Sequence, residues 1–323
     1  MTRIEIAAHG GPEQMVLVER EIPALKPGQL LVRHEAIGIN FIDTYNRTGL
    51  YPLPLPSGLG KEGAGLVEAV GDGVTRFNIG DRVAYCSGPN GSYASHNVIE
   101  ADTALLLPTT ISSKQAAASM LKGLTVQYLI RQLHPVKAGE TVLFHAAAGG
   151  VGQIAVQWLK YLGATVIGTV GSEEKAELVK ALGCDHVINY RTETVSERVM
   201  EITKGAKVPV VYDSVGKATF EDSLDCLAPR GLMVSFGNAS GPVEGVNLGI
   251  LATKGSLMVT RPTLAHFTPN REELEKAGND LFSVLASGGV KLANPTEYAL
   301  ADAPKAHSDL EARKTQGSLI LIP

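Results

Sequence analysis

The chain has 323 residues and a formal charge of -4, with 44% hydrophobic and 19% charged residues. That length exceeds the roughly 100–200 residues of one ordinary domain and predicts two, and the apolar share excludes a disordered chain. With no basic block, nothing electrostatic argues for nucleic acid or an anionic membrane surface as a partner.

In chain order, residues 29–36, 65–70, 82–85 and 93–99 read as short strands. Lys26-Pro27-Gly28, Gly71-Asp72-Gly73 and Gly80-Asp81 punctuate them with turns, as in a small, mostly antiparallel barrel. From residue 123 onward the pattern changes. Apolar runs at 141–145, 165–169, 186–190, 208–213 and 232–236 alternate with amphipathic stretches, which predicts a doubly wound parallel sheet. The clearest helix is 151–162, where Val151, Ile154, Ala155, Trp158, Leu159 and Leu162 recur on one face. Trp158 is therefore expected to pack. A last helix over 303–315 ends at Gln316-Gly317, and the apolar strand 318–322 is expected to return to the first domain. No apolar run approaches the roughly 18 residues of a membrane span. Residues 1–14, which include Glu5 and Glu13, lack the apolar core of a signal peptide.

His145-Ala146-Ala147-Ala148-Gly149-Gly150-Val151-Gly152 follows a strand and opens the helix at 151. Set against G-x-G-x-x-G it has Ala147 in place of the first glycine. Gly149 lets backbone approach a pyrophosphate, Gly152 lets the helix pack on the strand, and the helix N-terminus offers N–H groups to phosphate. An acid that would bond the ribose 2′-hydroxyl of NAD is expected at the end of the next strand. Val170-Gly171-Ser172 stands there instead. Room at Gly171, hydroxyl and backbone donors at Ser172 and the charge of Lys175 suit a 2′-phosphate, so the expected cofactor is NADPH. Glu173 and Glu174 oppose this weakly, since acids favour the first turn of a helix in any case.

At this point the chain resembles the zinc-independent quinone oxidoreductases of the medium-chain dehydrogenase/reductase superfamily, related to zeta-crystallin, in their bacterial form. The resemblance spans the whole length. It is carried by Ile39-Asn40-Phe41-Ile42-Asp43-Thr44-Tyr45, Gly60-Lys61-Glu62-Gly63-Ala64-Gly65, Gly80-Asp81-Arg82-Val83, Lys122-Gly123-Leu124-Thr125, Ala146 to Gly152, Val211-Tyr212-Asp213-Ser214-Val215-Gly216 and Gly231 to Asn238. It implies a GroES-like β-barrel catalytic domain from 1–122 and 261–323 and a Rossmann NADPH-binding domain from 123–260, with the cofactor in the cleft. It places Asn40 near the nicotinamide and Tyr45 and Tyr51 along the substrate pocket. Gly171, Ser172, Lys175, Tyr190 and Arg313 fall around the adenosine phosphate, and Gly149, Gly150, Val151, Gly152, Ser214, Phe236, Asn238 and Arg261 also on cofactor.

Each side chain has a plainer use as well. Asn40 can bond local backbone, Tyr45 and Tyr51 can pack, and Lys175, Arg261 and Arg313 can be solvated cations. Tyr190 can fill a strand end, His145 can end its strand, and Lys61 can pair with Asp43.

Departures from the zinc-dependent relatives matter as much. Lys61 stands where their G-H-E histidine binds zinc, and Asp43 about where their first cysteine ligand falls. Cys86, Cys184 and Cys226 are widely spaced, with no C-x-x-C, and no histidine pair sits at i,i+4. No metal site is expected, and a reducing cytoplasm suits the thiols.

The activity these residues imply is NADPH-dependent reduction of quinones, by one or two electrons, without zinc. Two alternatives remain open at the level of sequence. One is reduction of the C=C bond of enals or enones, with Tyr45 or Tyr51 donating the proton; the other is a non-catalytic, crystallin-like NADPH-binding protein. The segment 255–261 looks like an exposed edge strand, and the resemblance implies a homodimer built across it.

Overall fold

The computed structural model describes residues 1–312 and 314–323. Arg313, named above for the adenosine phosphate, lies outside the described residues. Two compact units are present, one of residues 1–124, 268–282 and 292–323, the other of residues 125–267 and 283–291.

The first unit opens with β1 (Thr2–Ile6), β2 (Val16–Glu19), β3 (Gln29–Ile39), α1 (Phe41–Thr48), β4 (Ser57–Gly58), β5 (Glu62–Val70), β6 (Arg82–Tyr85), β7 (His96–Glu100) and β8 (Leu105–Leu106). α2 (Ser113–Gln127) carries the chain onward. The second unit holds β9 (Thr141–Phe144), α3 (Gly150–Tyr161), β10 (Thr165–Val170), α4 (Glu173–Ala181), β11 (His186–Asn189), α5 (Val195–Ile202) and β12 (Val208–Asp213). It continues through α6 (Phe220–Asp225), β13 (Leu227–Ser235), α7 (Gly249–Thr253) and β14 (Met258–Thr260). α8 (Arg271–Ala286), β15 (Thr296–Ala299), α9 (Ala303–Glu311) and β16 (Leu319–Ile322) follow.

In the first unit a seven-stranded sheet runs β15-β16-β3-β5-β6-β8, with β7 also on β3, and β1 pairs with β2 and β4 in a smaller sheet. Every pairing is antiparallel except β15 with β16. The terminal β16 places Leu319 opposite Ile39 and Leu321 opposite Ile37. β3 serves two cores because its pairing with β5 slips at Leu31/Val32 and at His34/Ala36. Leu30 and Val32 join Val67, Phe77 and Val83 in one cluster. Ile37 and Ile39 join Ile4, Ile6, Leu319 and Leu321 in the other.

The second unit is one parallel sheet in the order β11-β10-β9-β12-β13-β14. Its strand order reverses at β9, the arrangement of a dinucleotide-binding sheet. Leu143, Ile167, Ile188, Val211 and Met233, one from each of five strands, pack with Val195 and Val199 of α5 and Phe220 and Leu224 of α6. α3 runs one residue earlier than expected at both ends, and Trp158 is buried at 3% exposure, a packing residue.

Some expected boundaries moved. The strand expected at 93–99 starts only at His96, because Tyr93 and Ser95 bond to Leu59 and Thr2 before the chain joins β3. The helix expected over 303–315 ends at Glu311, as apolar periodicity stops at Leu310. α1, α2 and α8 were not singled out by the sequence patterning.

Gly152 fixes the first turn of α3. A Cβ there would lie 2.5 Å from both the Ala146 and the Ala147 carbonyl oxygens. Gly152→Ala is therefore expected to lower stability by about 1–3 kcal/mol, read as a lower urea midpoint. An unchanged midpoint would mean that this turn yields freely.

Candidate functional site

Parallel strands all end at one edge, and the second unit collects its candidate residues there. After β9 the chain turns through Ala146, held at φ 53°, into Gly149, the N-cap of α3, which has no capping side chain. A Cβ on Gly149 would meet only the Ala146 oxygen, at 3.2 Å, so the loop's outer side is open backbone. Gly150 and Val151 form the first turn of the helix behind it.

After β10, Ser172 caps α4, its hydroxyl accepting the Lys175 N–H at 3.3 Å. A Cβ on Gly171 would fall 2.4 Å from the Tyr190 hydroxyl, so the half-exposed Tyr190 ring lies directly against that glycine. Glu173 accepts from Asn189 Nδ2 at 3.0 Å. Gly171, Ser172, Lys175 and Tyr190 are thus brought together at the ends of β10 and β11.

Beyond β12 and β13, Phe236 N–H donates to Asp213 O at 2.8 Å, and its ring lies 5.8 Å from Phe144. A Cβ on Gly237 would be 2.4 Å from the Ser214 oxygen. Arg261 donates to Ser235 O at 2.7 Å and, with the Asn238 amide oriented to suit its neighbours, to Asn238 at 3.2 Å. Ser214, Phe236, Asn238 and Arg261 therefore share one corner. Tyr128, which sequence patterning missed, also belongs to it. It opens a π-helical turn and stacks on Phe267 at 4.6 Å, and burial raises its phenol's pKa against the opposing charge of Arg261. A lone aromatic outside any periodic run carries no signal of such a place.

His145 lies beneath this edge and is fully occupied. Its Nδ1 meets Thr169 Oγ1 at 3.0 Å and its Nε2 meets Ser223 Oγ at 3.0 Å. Ser223 donates to Asp213, which also accepts from Val215, Gly216 and Thr219. Burial lowers the imidazole's pKa. His145 follows the last residue of β9 and ties the loop down, since Thr169 Oγ1 also accepts the Ala146 N–H at 3.2 Å.

In the first unit, Asn40 stands at the start of α1, and Tyr45 within the helix meets Tyr51 just beyond it. Asn40 is its N-cap and Asp43 its third residue, joined as a capping box in which Asn40 N–H donates to Asp43 Oδ2 at 2.8 Å. Tyr45 packs edge-on against Tyr51 with centroids 5.3 Å apart. Beside its part in the capping box, Asn40 donates through Nδ2 to the buried Glu62 at 2.7 Å. Asp43 is wholly buried. Its Oδ2 also accepts from Tyr93, which meets His307, and His307 meets the buried Arg47. Asp43 Oδ1 has no hydrogen-bond partner among the described residues. Lys61 does not pair with Asp43; it donates to the Gly88 oxygen at 2.8 Å, and burial lowers its pKa. Among the described residues no group of three or more His, Cys, Asp or Glu is placed to hold a metal ion. The three thiols are free and buried.

Two families match in sequence: the alcohol dehydrogenase GroES-like domain over residues 26–109 and the zinc-binding dehydrogenase over residues 150–281. The quinone oxidoreductase of Pseudomonas aeruginosa is 56% identical, covering 99% of each chain. A solved structure of Escherichia coli quinone oxidoreductase complexed with NADPH is 57% identical over 100% of both chains, with a TM-score of 0.97. The 2-haloacrylate reductase of a Burkholderia species is 44% identical, covering 97% of this chain and 96% of that one.

Asp43 gives a pH test. Burial pushes its carboxyl from an ordinary 3.8 up to about 7, against the hydrogen bonds from Asn40 and Tyr93. The folded chain therefore keeps a proton that the unfolded chain releases above its ordinary value. The associated stability is complete below about pH 4 and is lost as pH rises through about 7. His34 and His307, held by burial at about 4 and about 3, act oppositely, losing stability as pH falls below 6.5. The difference between wild type and Asp43→Asn isolates the carboxyl. Between pH 5 and 8 the wild type should lose more stability than the variant, by a few kcal/mol at most. Parallel pH curves would show that Asp43 does not titrate there.

Proposed function

The chain belongs to the quinone oxidoreductase family of the medium-chain dehydrogenases/reductases, and we propose that it reduces quinones at the expense of NADPH. The observation that carries this reading is the edge where β10 and β11 end, where Gly171, Ser172, Lys175 and Tyr190 gather, Gly171 and Ser172 follow β10 in place of an acid, and the nearby Glu173 is engaged by Asn189. The residues fit the cofactor. The open backbone from Gly149 through Gly150 and Val151 to Gly152 suits a pyrophosphate at the start of α3. Lys175, Ser172 and Tyr190 suit a 2′-phosphate, with Arg313 as a further expected contact. Ser214, Phe236, Asn238 and Arg261 complete the cofactor contacts in the second unit. In the first, Asn40 serves the nicotinamide end while Tyr45 and Tyr51 line the substrate pocket.

When bound, NADPH supplies the hydride. A quinone is already electrophilic and its product is aromatic, so the chain's own residues need mainly to orient the reactants and exclude water. No metal is assigned a role in this reading, because Lys61 and Asp43 stand where zinc ligands would be needed. The buried free thiols suit a reducing cytoplasm. Oxidation of NADPH with 1,4-benzoquinone by metal-stripped enzyme tests it, after subtraction of the direct reaction. Turnover should be rapid with NADPH and slower with NADH. Equal rates would remove the argument from Gly171 to Lys175.

A second reading, reduction of an activated C=C bond, is favoured by the contact between Tyr45 and Tyr51, which supplies phenolic proton donors, and by the likeness to a 2-haloacrylate reductase. Tyr45→Phe and Tyr51→Phe distinguish the two. Quinone turnover should stay within about threefold of wild type, whereas proton donation to carbon would be cut by about 10²-fold or more.

The chain is also proposed to form a homodimer through β14. That strand is the sheet edge, paired only with β13 among the described residues, and Met258 and Val259 are 53% and 39% exposed. Light scattering at micromolar concentration should give twice the chain mass, and Val259→Lys should shift it toward the monomer. A monomeric wild type would end this proposal.

A further inference from the structure

Glu62 sits at 0% exposure, with a carboxyl whose pKa burial pushes up. Burying such a group costs several kcal/mol, and a well-packed apolar residue often does as well or better for stability. The first unit nevertheless commits three elements to it. In α2 the Leu121 N–H donates to Oε1 at 2.7 Å, and Lys122, itself buried, holds its ammonium 3.9 Å from Oε2 and donates to the Ile39 oxygen at 3.3 Å. In β3, Gly38 leaves the space: a Cβ there would lie 2.1 Å from Glu62 Oε2 and 2.3 Å from the Ala117 oxygen. The Asn40 amide donates to Oε2 at 2.7 Å.

Resting on the reading that Asn40 serves the nicotinamide end of NADPH, we propose that Glu62 is a positioning residue, whose buried carboxylate locks the Asn40 amide in the one orientation that the cofactor can use. An asparagine amide has two orientations of nearly equal shape but opposite hydrogen-bonding sense. An acceptor facing Nδ2 separates them, and a carboxylate does so without ambiguity because both of its oxygens accept. The capping box at the start of α1 holds the backbone of the same residue, so backbone and side chain are fixed from opposite sides.

Glu62→Gln keeps the shape and reverses this sense. The Leu121 N–H demands oxygen at one end of the new amide, which turns its NH₂ toward Asn40 Nδ2. Two donors then face each other, and Asn40 has to turn over.

The test is NADPH affinity by fluorescence titration of wild type, Glu62→Gln, Asn40→Ala and the double variant, with thermal midpoints measured alongside. Each single variant should weaken NADPH by about tenfold, and Glu62→Gln should add less than about twofold once Asn40 is alanine. An equal, additive loss in both backgrounds would overturn the proposal, as would wild-type affinity in Glu62→Gln. Unchanged binding in Asn40→Ala would overturn it together with the assignment of Asn40. A wild-type chain that does not bind NADPH would remove the cofactor reading itself, an outcome visible before any variant is made. Should Glu62→Gln not fold, Glu62→Asp withdraws the carboxylate by one methylene and should show the same non-additivity.

Discussion

A parallel sheet ends all its strands on one side, and that constraint arranges everything proposed for the second unit. Each strand from β9 to β14 delivers the residues just beyond its carboxyl end to the same edge. The reversal of strand order at β9 leaves a gap between the connections that run to either side. Side chains far apart in sequence, from Ala146 to Arg261, thereby become neighbours without any contact having to pull them together. The local work is to keep the connections short and the first helix close. His145 and Thr169 do part of it, by holding the Ala146 loop beneath the edge. Gly152 does the rest, by allowing α3 to touch two carbonyl oxygens.

The first unit solves its problem differently. Its candidate residues are held by buried side chains: Asn40 by Glu62, and Asp43 within a chain running through Tyr93 and His307 to Arg47. Arg47 is 1% exposed, and its charge is met by Glu311 at 2.8 Å and by the Gly10 oxygen. Glu311 belongs to α9, so the C-terminal segment contributes to holding α1 as well as to the sheet. Removing a partner from such a network leaves a desolvated charge behind, which is more costly than losing one contact.

This contrast explains what the sequence made legible. Strands buried on both faces of a parallel sheet read as apolar runs, and loops that bind through backbone announce themselves by glycine, so the second unit could be read in order. α1 was opaque for the opposite reason. Its buried face is Asp43, Thr44, Asn46 and Arg47 beside Tyr45, which no hydrophobic periodicity can reveal. α2 was opaque because Ala116, Ala117, Ala118, Met120, Leu124 and Val126 are buried around much of its circumference, leaving little amphipathic contrast. Resemblance supplied Asn40, Tyr45 and Tyr51 where patterning had nothing to offer.

The segment Gly60-Lys61-Glu62 shows how a motif can direct attention to its neighbour. Lys61 draws the eye as the replacement for a metal-binding histidine, yet in the folded chain it reaches only the Gly88 oxygen. The next residue points the other way, because successive side chains of an extended segment alternate, and it enters the core where Gly38 has left room. A half-buried cation such as Lys61 is served by a single carbonyl, the Gly88 oxygen. A carboxylate in the interior needs the Leu121 N–H, the Asn40 amide and the Lys122 ammonium around it. A change at Lys61 is thus free of structural consequences that a change at Glu62 must carry, and the residue with more partners is the one through which the first unit can set the geometry of its site.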